Sequence, residues 1–115
     1  MENLSTLKLA IRKFAKDRDW DQFHSPKNLA MAMSVESSEV AELFQWLTED
    51  QSKHLPKDKV NNLSDELADT YIYLLKIADH YGIDLISAAL KKIKKNELKY
   101  PVKKSRGSAK KYNEL

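Results

Sequence analysis

Leu29-Ala30-Met31-Ala32-Met33-Ser34-Val35-Glu36-Ser37-Ser38-Glu39-Val40-Ala41-Glu42-Leu43-Phe44-Gln45-Trp46-Leu47 is the stretch that decides the fold. Within it Leu29, Met33, Glu36, Val40, Leu43 and Leu47 step by 4, 3, 4, 3 and 4, which is a heptad seam and reads as one helix of a bundle. Glu36 stands where the seam requires an apolar residue. A carboxylate pointing into a bundle core is costly unless something pairs with it. Glu39 follows three residues later, about 300° around the helix, and so shares the face of Glu36. Glu66 and Asp69 repeat this spacing in a second helical segment. Two such pairs on antiparallel helices can bring four carboxylates together, and that much partly buried negative charge needs a bound cation. The plainer reading is that Glu-x-x-Glu is common on solvated helix faces. The place of Glu36 in the seam weighs against it.

Working outward, the segments on either side also read as helices. Ser5 caps a first helix that runs to about Arg18, with Leu7, Ala10, Ile11 and Phe14 on one apolar face. Asp19-Trp20-Asp21-Gln22-Phe23-His24 then forms a loop with two aromatics and a histidine. It is either a packing plug or an aromatic clamp for a flat ligand. Ser25 as N-cap and Pro26 at the first helical position start the second helix, which is expected to reach about Leu47. On that helix Trp46 falls two turns beyond Glu39, either as core or as a stacking surface.

Residues 48–56 form a polar connection, and a third helix runs from about Lys57 to Tyr81, stopped by Gly82. Val60, Leu63, Leu67, Leu74 and Ala78 make its apolar stripe, with Glu66, Asp69 and Tyr73 along the edge. Asp84 caps a fourth helix, Leu85 to about Lys99, with Leu85, Ala88, Ala89 and Ile93 inward. Lys92 and Asn96 share a face of it and read, from spacing alone, as solvated surface. The expected organisation is an all-α four-helix domain over residues 1–100 and an irregular basic tail over residues 101–115.

Composition narrows the function classes. The chain has no cysteine, hence no disulfide, thiolate nucleophile or zinc-thiolate site. No apolar run is long enough for a signal peptide or a membrane span, so a cytoplasmic setting without a membrane partner is expected. The net charge of +3 conceals an asymmetry: residues 91–115 hold ten Lys or Arg against two acids, and the remainder is acidic on balance. A small helical nucleic-acid-binding or interaction protein using residues 91–111 is therefore the alternative function. Such a protein has no need of Glu36 in a core seam, so nucleic acid is not the expected partner.

Di-iron bundles pair Glu with Glu-x-x-His, but no histidine stands three residues after a glutamate here. All-carboxylate ligation favours a hard ion, Mg²⁺ or Mn²⁺. There is no glycine-rich phosphate loop, serine nucleophile elbow or Cys/His pair. What remains is metal-activated water attacking a phosphorus centre.

Glu-x-x-Glu followed by Glu-x-x-Asp on consecutive helices resembles the MazG-like, all-α nucleoside triphosphate pyrophosphohydrolases. The resemblance is closest to the dCTP pyrophosphatase branch. It is carried further by Arg18-Asp19-Trp20-Asp21-Gln22-Phe23-His24, Pro26 and Asn28-Leu29, by Glu42-Leu43-Phe44-Gln45-Trp46, and by Tyr100-Pro101 and Ser105-Arg106-Gly107-Ser108-Ala109.

The resemblance implies hydrolysis of a (deoxy)nucleoside triphosphate, with dCTP or modified dCTP preferred, to the monophosphate and pyrophosphate. It implies Mg²⁺, with Mn²⁺ able to substitute, on Glu36, Glu39, Glu66 and Asp69. It places Trp20, Asp21, Gln22, Phe23, His24, Trp46 and Tyr73 around base and sugar, and Lys92 and Asn96 toward the phosphates. It also implies a homodimer or a dimer-of-dimers tetramer. One departure is that Ile11 stands where that branch can carry a substrate-contacting histidine, which bears on base preference and not on the metal chemistry.

Overall fold

A computed structural model describes residues 2–115. The described residues hold helices and turns and no strand. In order they are α1 (Leu4–Asp17), α2 (Pro26–Glu42), the short α3 (Glu49–Ser52), α4 (Lys57–His80), α5 (Leu85–Lys99) and the short α6 (Val102–Ser105), with 3₁₀ turns at Asp21–Phe23 and Tyr112–Glu114. The chain falls into two compact units, Met1–Gly82 and Ile83–Leu115.

In the first unit α2 packs along α4, and α1 lies against α4. The helix starts are set locally. Asn3, not Ser5, caps α1 by accepting from the Thr6 N–H at 2.9 Å. Ser25 accepts from the Asn28 N–H at 3.2 Å, and Pro26 follows it at the first position of α2. Gly82, at φ +64°, ends α4 in the left-handed conformation that glycine adopts without a Cβ penalty. Arg12 of α1 grips Asp79 of α4 through two parallel bonds, Nε to Oδ2 at 2.7 Å and Nη2 to Oδ1 at 2.5 Å. That guanidinium holds the Asp79 carboxyl below its ordinary range.

The seam of α2 holds its register: Leu29 is buried, and Met33, Glu36, Val40 and Leu43 are half-buried. The helix stops earlier than its apolar pattern suggests. After Glu42 the N–H groups of Leu43, Phe44 and Leu47 turn to carbonyls three residues back, at 3.2, 3.0 and 2.9 Å. Thr48 then opens α3 with a capping box, its hydroxyl accepting from the Gln51 N–H and its own N–H bonding the Gln51 side chain. The helix expected to reach about Leu47 thus ends at Glu42 in these tighter turns, and the polar connection of residues 48–56 contains α3.

The α4 stripe divides. Ala78 is buried and Leu63 half-buried, but Val60, Leu67 and Leu74, seven residues apart, are exposed. Leu75, outside the expected stripe, is the most buried large side chain of the helix. In the second unit α5 matches its expected bounds and starts on the Asp84 cap, whose carboxylate accepts from the Ser87 N–H at 3.1 Å. Residues 101–115, expected to be irregular, contain α6 and the Tyr112–Glu114 turn; Tyr112 meets Tyr100 edge-on with ring centroids 6.1 Å apart.

Candidate active site

Packing α2 against α4 brings three of the four carboxylates together. Glu36, Glu39 and Glu66 each present an oxygen within 4.8 Å of the others. Glu36 Oε2 and Glu66 Oε2 are buried with no hydrogen-bond partner. Carboxylates can bond one another only by sharing a proton, so the cluster retains protons that free carboxylates release. The Glu66 carboxyl is pushed up to about 7, first by a proton-sharing bond to Glu39, then by burial and by the charges of Glu39 and Glu36. Glu36 is raised too, chiefly by burial and then by Glu39. Two orphaned oxygens among crowded, oxygen-only donors fit a hard divalent cation, whose charge would replace the shared protons. Asp69 stands outside the trio, exposed but close enough for its charge to raise Glu36.

Asp69 and Glu36 instead share the wall of a cavity of about 450 Å³. Its opposite walls come from the apolar face of α1 (Leu7, Ile11 and Phe14), from Trp20 and His24 of the turn, and from Ile72, Tyr73 and Lys76 of α4. Rings line it edge to face: Phe14 to Trp20 at 5.6 Å, Trp20 to His24 at 6.1 Å and His24 to Tyr73 at 6.5 Å between centroids. The α1 face expected to be core thus lines a hollow. Ala15, which was not singled out, is the α1 residue that is buried.

The turn holding Trp20 is built by its neighbours. Asp19 takes φ +53°, and the Gln22 amide donates to both the Asp19 carbonyl and its Oδ2 at 2.9 Å. The Asn28 amide donates to the Phe23 carbonyl at 2.9 Å, tying the turn to the first turn of α2. Gln22 therefore shapes the turn, Phe23 is exposed, and Asp21 lines a second depression with Arg12, Lys16, His24, Lys76 and Asp79. His24 Nδ1 is buried and unpartnered. Burial, with the Lys76 charge second, lowers the His24 pKa and keeps the imidazole neutral near pH 7.

Of the remaining expected residues, Trp46 lies past the end of α2 and is 87% exposed. The helical spacing that put it in line with Glu39 does not apply there, and it does not line the cavity. Lys92 and Asn96 sit on α5, in the second unit, the first exposed and the second half-buried. Lys76 was missed by the sequence reading. Its position three residues after Tyr73 and seven after Asp69 was the available signal.

Comparison with known proteins bears on this geometry. The MazG-like family matches residues 31–115, which include all four acids. The chain is 45% identical over 105 residues to dCTP pyrophosphatase 1 of Mus musculus, covering 90% of this chain. It is 42% identical over 106 residues to dCTP pyrophosphatase 1 of Homo sapiens. It spans 62% of the length of each of these relatives. The crystal structure of a pyrophosphatase from Archaeoglobus fulgidus superposes with a TM-score of 0.82 at 36% identity, over 88% of this chain and 94% of that one. With its acid pairs, its helix order and these relatives in agreement, the chain belongs to the MazG-like family.

Proposed function

We propose that this chain is a divalent-metal-dependent nucleoside triphosphate pyrophosphohydrolase that releases the monophosphate and pyrophosphate, preferring dCTP or modified dCTP and serving nucleotide-pool clean-up. The observation that carries the reading is the convergence of Glu36, Glu39 and Glu66, with two buried orphan oxygens, beside an aromatic cavity of about 450 Å³. The names of the relatives support the reaction class. Glu36, Glu39 and Glu66, with Asp69 beside them, would hold the cation, Mg²⁺ or in its place Mn²⁺. Bound there, the cation supplies Lewis-acid charge against the phosphate oxygens.

The remaining work falls to the chain. Carboxylate oxygens free of the cation accept hydrogen bonds from the attacking water and fix its approach to the α-phosphorus. Trp20 and Tyr73 offer ring surface to base and sugar, and the unpartnered Nδ1 of His24 offers a polar contact. Asp21, Gln22 and Phe23 support that wall through the turn. Trp46, Lys92 and Asn96 enter this reading as substrate contacts through the family resemblance alone. Residues 1–100 are the catalytic part and 101–115 a basic appendage.

A homodimer or dimer-of-dimers tetramer belongs to the same proposal. Val60, Leu67 and Leu74 run along one face of α4, and Met31 and Val35 lie one turn apart on α2, all exposed. Apolar stripes of that kind are covered in a stable assembly. No helix among the described residues is long and apolar enough to cross a membrane, so the stripes have no spanning role as helices.

Product analysis tests the reaction. With Mg²⁺, phosphorus NMR should find pyrophosphate as the sole inorganic product. Orthophosphate with a nucleoside diphosphate would place attack at the γ-phosphorus and end the proposal.

A further inference from the structure

Lys76 is the one cationic side chain lining the aromatic cavity among the described residues. It shares a face of α4 with Asp69 and Tyr73, about 10 Å along the axis from Asp69. The side chain is half-buried and forms no hydrogen bond or ion pair among the described residues. Asp79, a carboxylate that feels its charge, is already engaged by the Arg12 guanidinium.

Lys76 lies about two helical turns beyond Asp69 on α4, and with His24 it lines both the aromatic cavity and the depression beside Asp79. Its charge reaches His24 and Asp79. Lys76 therefore serves the end of the cavity remote from Asp69 and the acid cluster. A triphosphate drawn to a cation at the acids leaves its base at that remote end, beside Trp20, His24 and Tyr73. There the two polar groups differ in kind. Neutral His24 carries one donor and one acceptor nitrogen, so it suits either an amino or a carbonyl edge. An ammonium only donates, so it favours a carbonyl oxygen and opposes an amino group.

Resting on the pyrophosphohydrolase reading, we propose that Lys76 is a specificity-determining residue that donates a hydrogen bond to a carbonyl oxygen of the substrate base. The cavity then takes cytosine, thymine or guanine nucleotides ahead of adenine nucleotides, because adenine carries an amino group and ring nitrogens but no carbonyl.

The test compares kcat/KM for dCTP, dTTP, dGTP and dATP in wild type, Lys76→Met and Lys76→Arg, with Mg²⁺ present. Methionine keeps much of the apolar stem without the donors, and arginine keeps donors. Wild type should disfavour dATP. Lys76→Met should lower the three carbonyl-bearing substrates about 10- to 100-fold and leave dATP within about 3-fold, since a hydrogen bond to a charged group has that worth. Lys76→Arg should keep the ranking. An equal fall for all four nucleotides, no change for any, or a wild type indifferent to the base would each overturn the proposal.

Calorimetric binding of dCMP and dAMP separates this idea from the reaction. If no nucleotide yields pyrophosphate, the pyrophosphohydrolase reading has failed. Tighter dCMP than dAMP binding, abolished by Lys76→Met, would still uphold Lys76 as the reader of the carbonyl. Equal binding of both monophosphates would overturn it.

Discussion

Beside the end of the α1–α2–α4 cavity that Glu36 and Asp69 line, Glu36, Glu39 and Glu66 crowd three carboxyl groups on two helices and leave two buried oxygens without partners among the described residues. At the other, Trp20, His24 and Tyr73 meet edge to face, and Lys76 lines the wall with a donor that has no hydrogen-bond or ion-pair partner among the described residues. Both ends carry unmet demand, but of opposite sign. The acid end is incomplete without positive charge, and the aromatic end without a planar acceptor. One ligand with phosphates at one end and a base at the other satisfies both. The comparison also separates what each end contributes: the acid end should set turnover, the aromatic end affinity and choice.

The sharpest way to break that contrast is at the acids. Glu39→Gln or Asp69→Asn should abolish turnover, a larger loss than the roughly 10- to 100-fold seen when a residue that only orients a metal ligand is removed. Far-UV circular dichroism should be unchanged, and the metal-free melting temperature should hold or rise, because one repelling charge is gone. Full activity in either variant would remove these residues from the site.

At the aromatic end, losses should be graded. Trp20→Ala should lower kcat/KM for every base by a similar factor, about 5- to 100-fold if it stacks, since stacking on a base is worth about 1–3 kcal/mol. His24→Ala should instead reorder the substrates. A Trp20→Ala effect on one base alone would mean that the ring reads an edge and does not stack.

A third measurement uses pH on the metal-free protein. Glu66 ordinarily titrates near 4.5 and is pushed up to about 7 in the fold. The folded state therefore binds protons more tightly than the unfolded one, and this group's contribution to stability falls as pH rises from about 4.5 to about 7. His24 acts the other way: its lowered pKa favours the folded state as pH rises through the ordinary 6.5. The difference between wild type and Glu66→Gln removes the histidine effect. Wild type should lose melting temperature relative to the variant between pH 5 and about 7.5. Mg²⁺ should restore it most at the upper end. A flat difference would show that the carboxylates do not feel one another.

The smallest effect is expected at Trp46. At 87% exposure its replacement by alanine should change folding stability by no more than about 0.5 kcal/mol. A core tryptophan would cost about 3–5 kcal/mol. A uniform fall in kcat/KM without a change in melt would bring this exposed ring to the substrate. A change in neither would leave it outside both the core and the site.

Much of the acid end was legible in advance. The steps from Leu29 to Leu43 and the three-residue spacing of Glu36 and Glu39 are local facts of one helix, and helical geometry converts them directly into a shared face. The aromatic end was legible only in its membership. Trp20, His24 and Tyr73 stood out by type and Ile11 of α1 by the family resemblance, whereas Lys76 of α4 had only its spacing from Asp69 and Tyr73, which does not set it apart from surface lysines.

The sequence by itself determined the four long helices, the Ser25-Pro26 start of α2, the Gly82 stop of α4 and the shared face of Glu36 and Glu39. Each depends on contacts within about one turn of chain. Tertiary structure decided that α2 ends at Glu42, that the α1 face borders a hollow, that Val60, Leu67 and Leu74 stay exposed while Leu75 is buried, and that Lys76 meets the cavity. Periodicity tells which side chains share a face of a helix. It does not tell what that face will meet, because an apolar stripe has the same spacing against its own core, a ligand cavity or another chain.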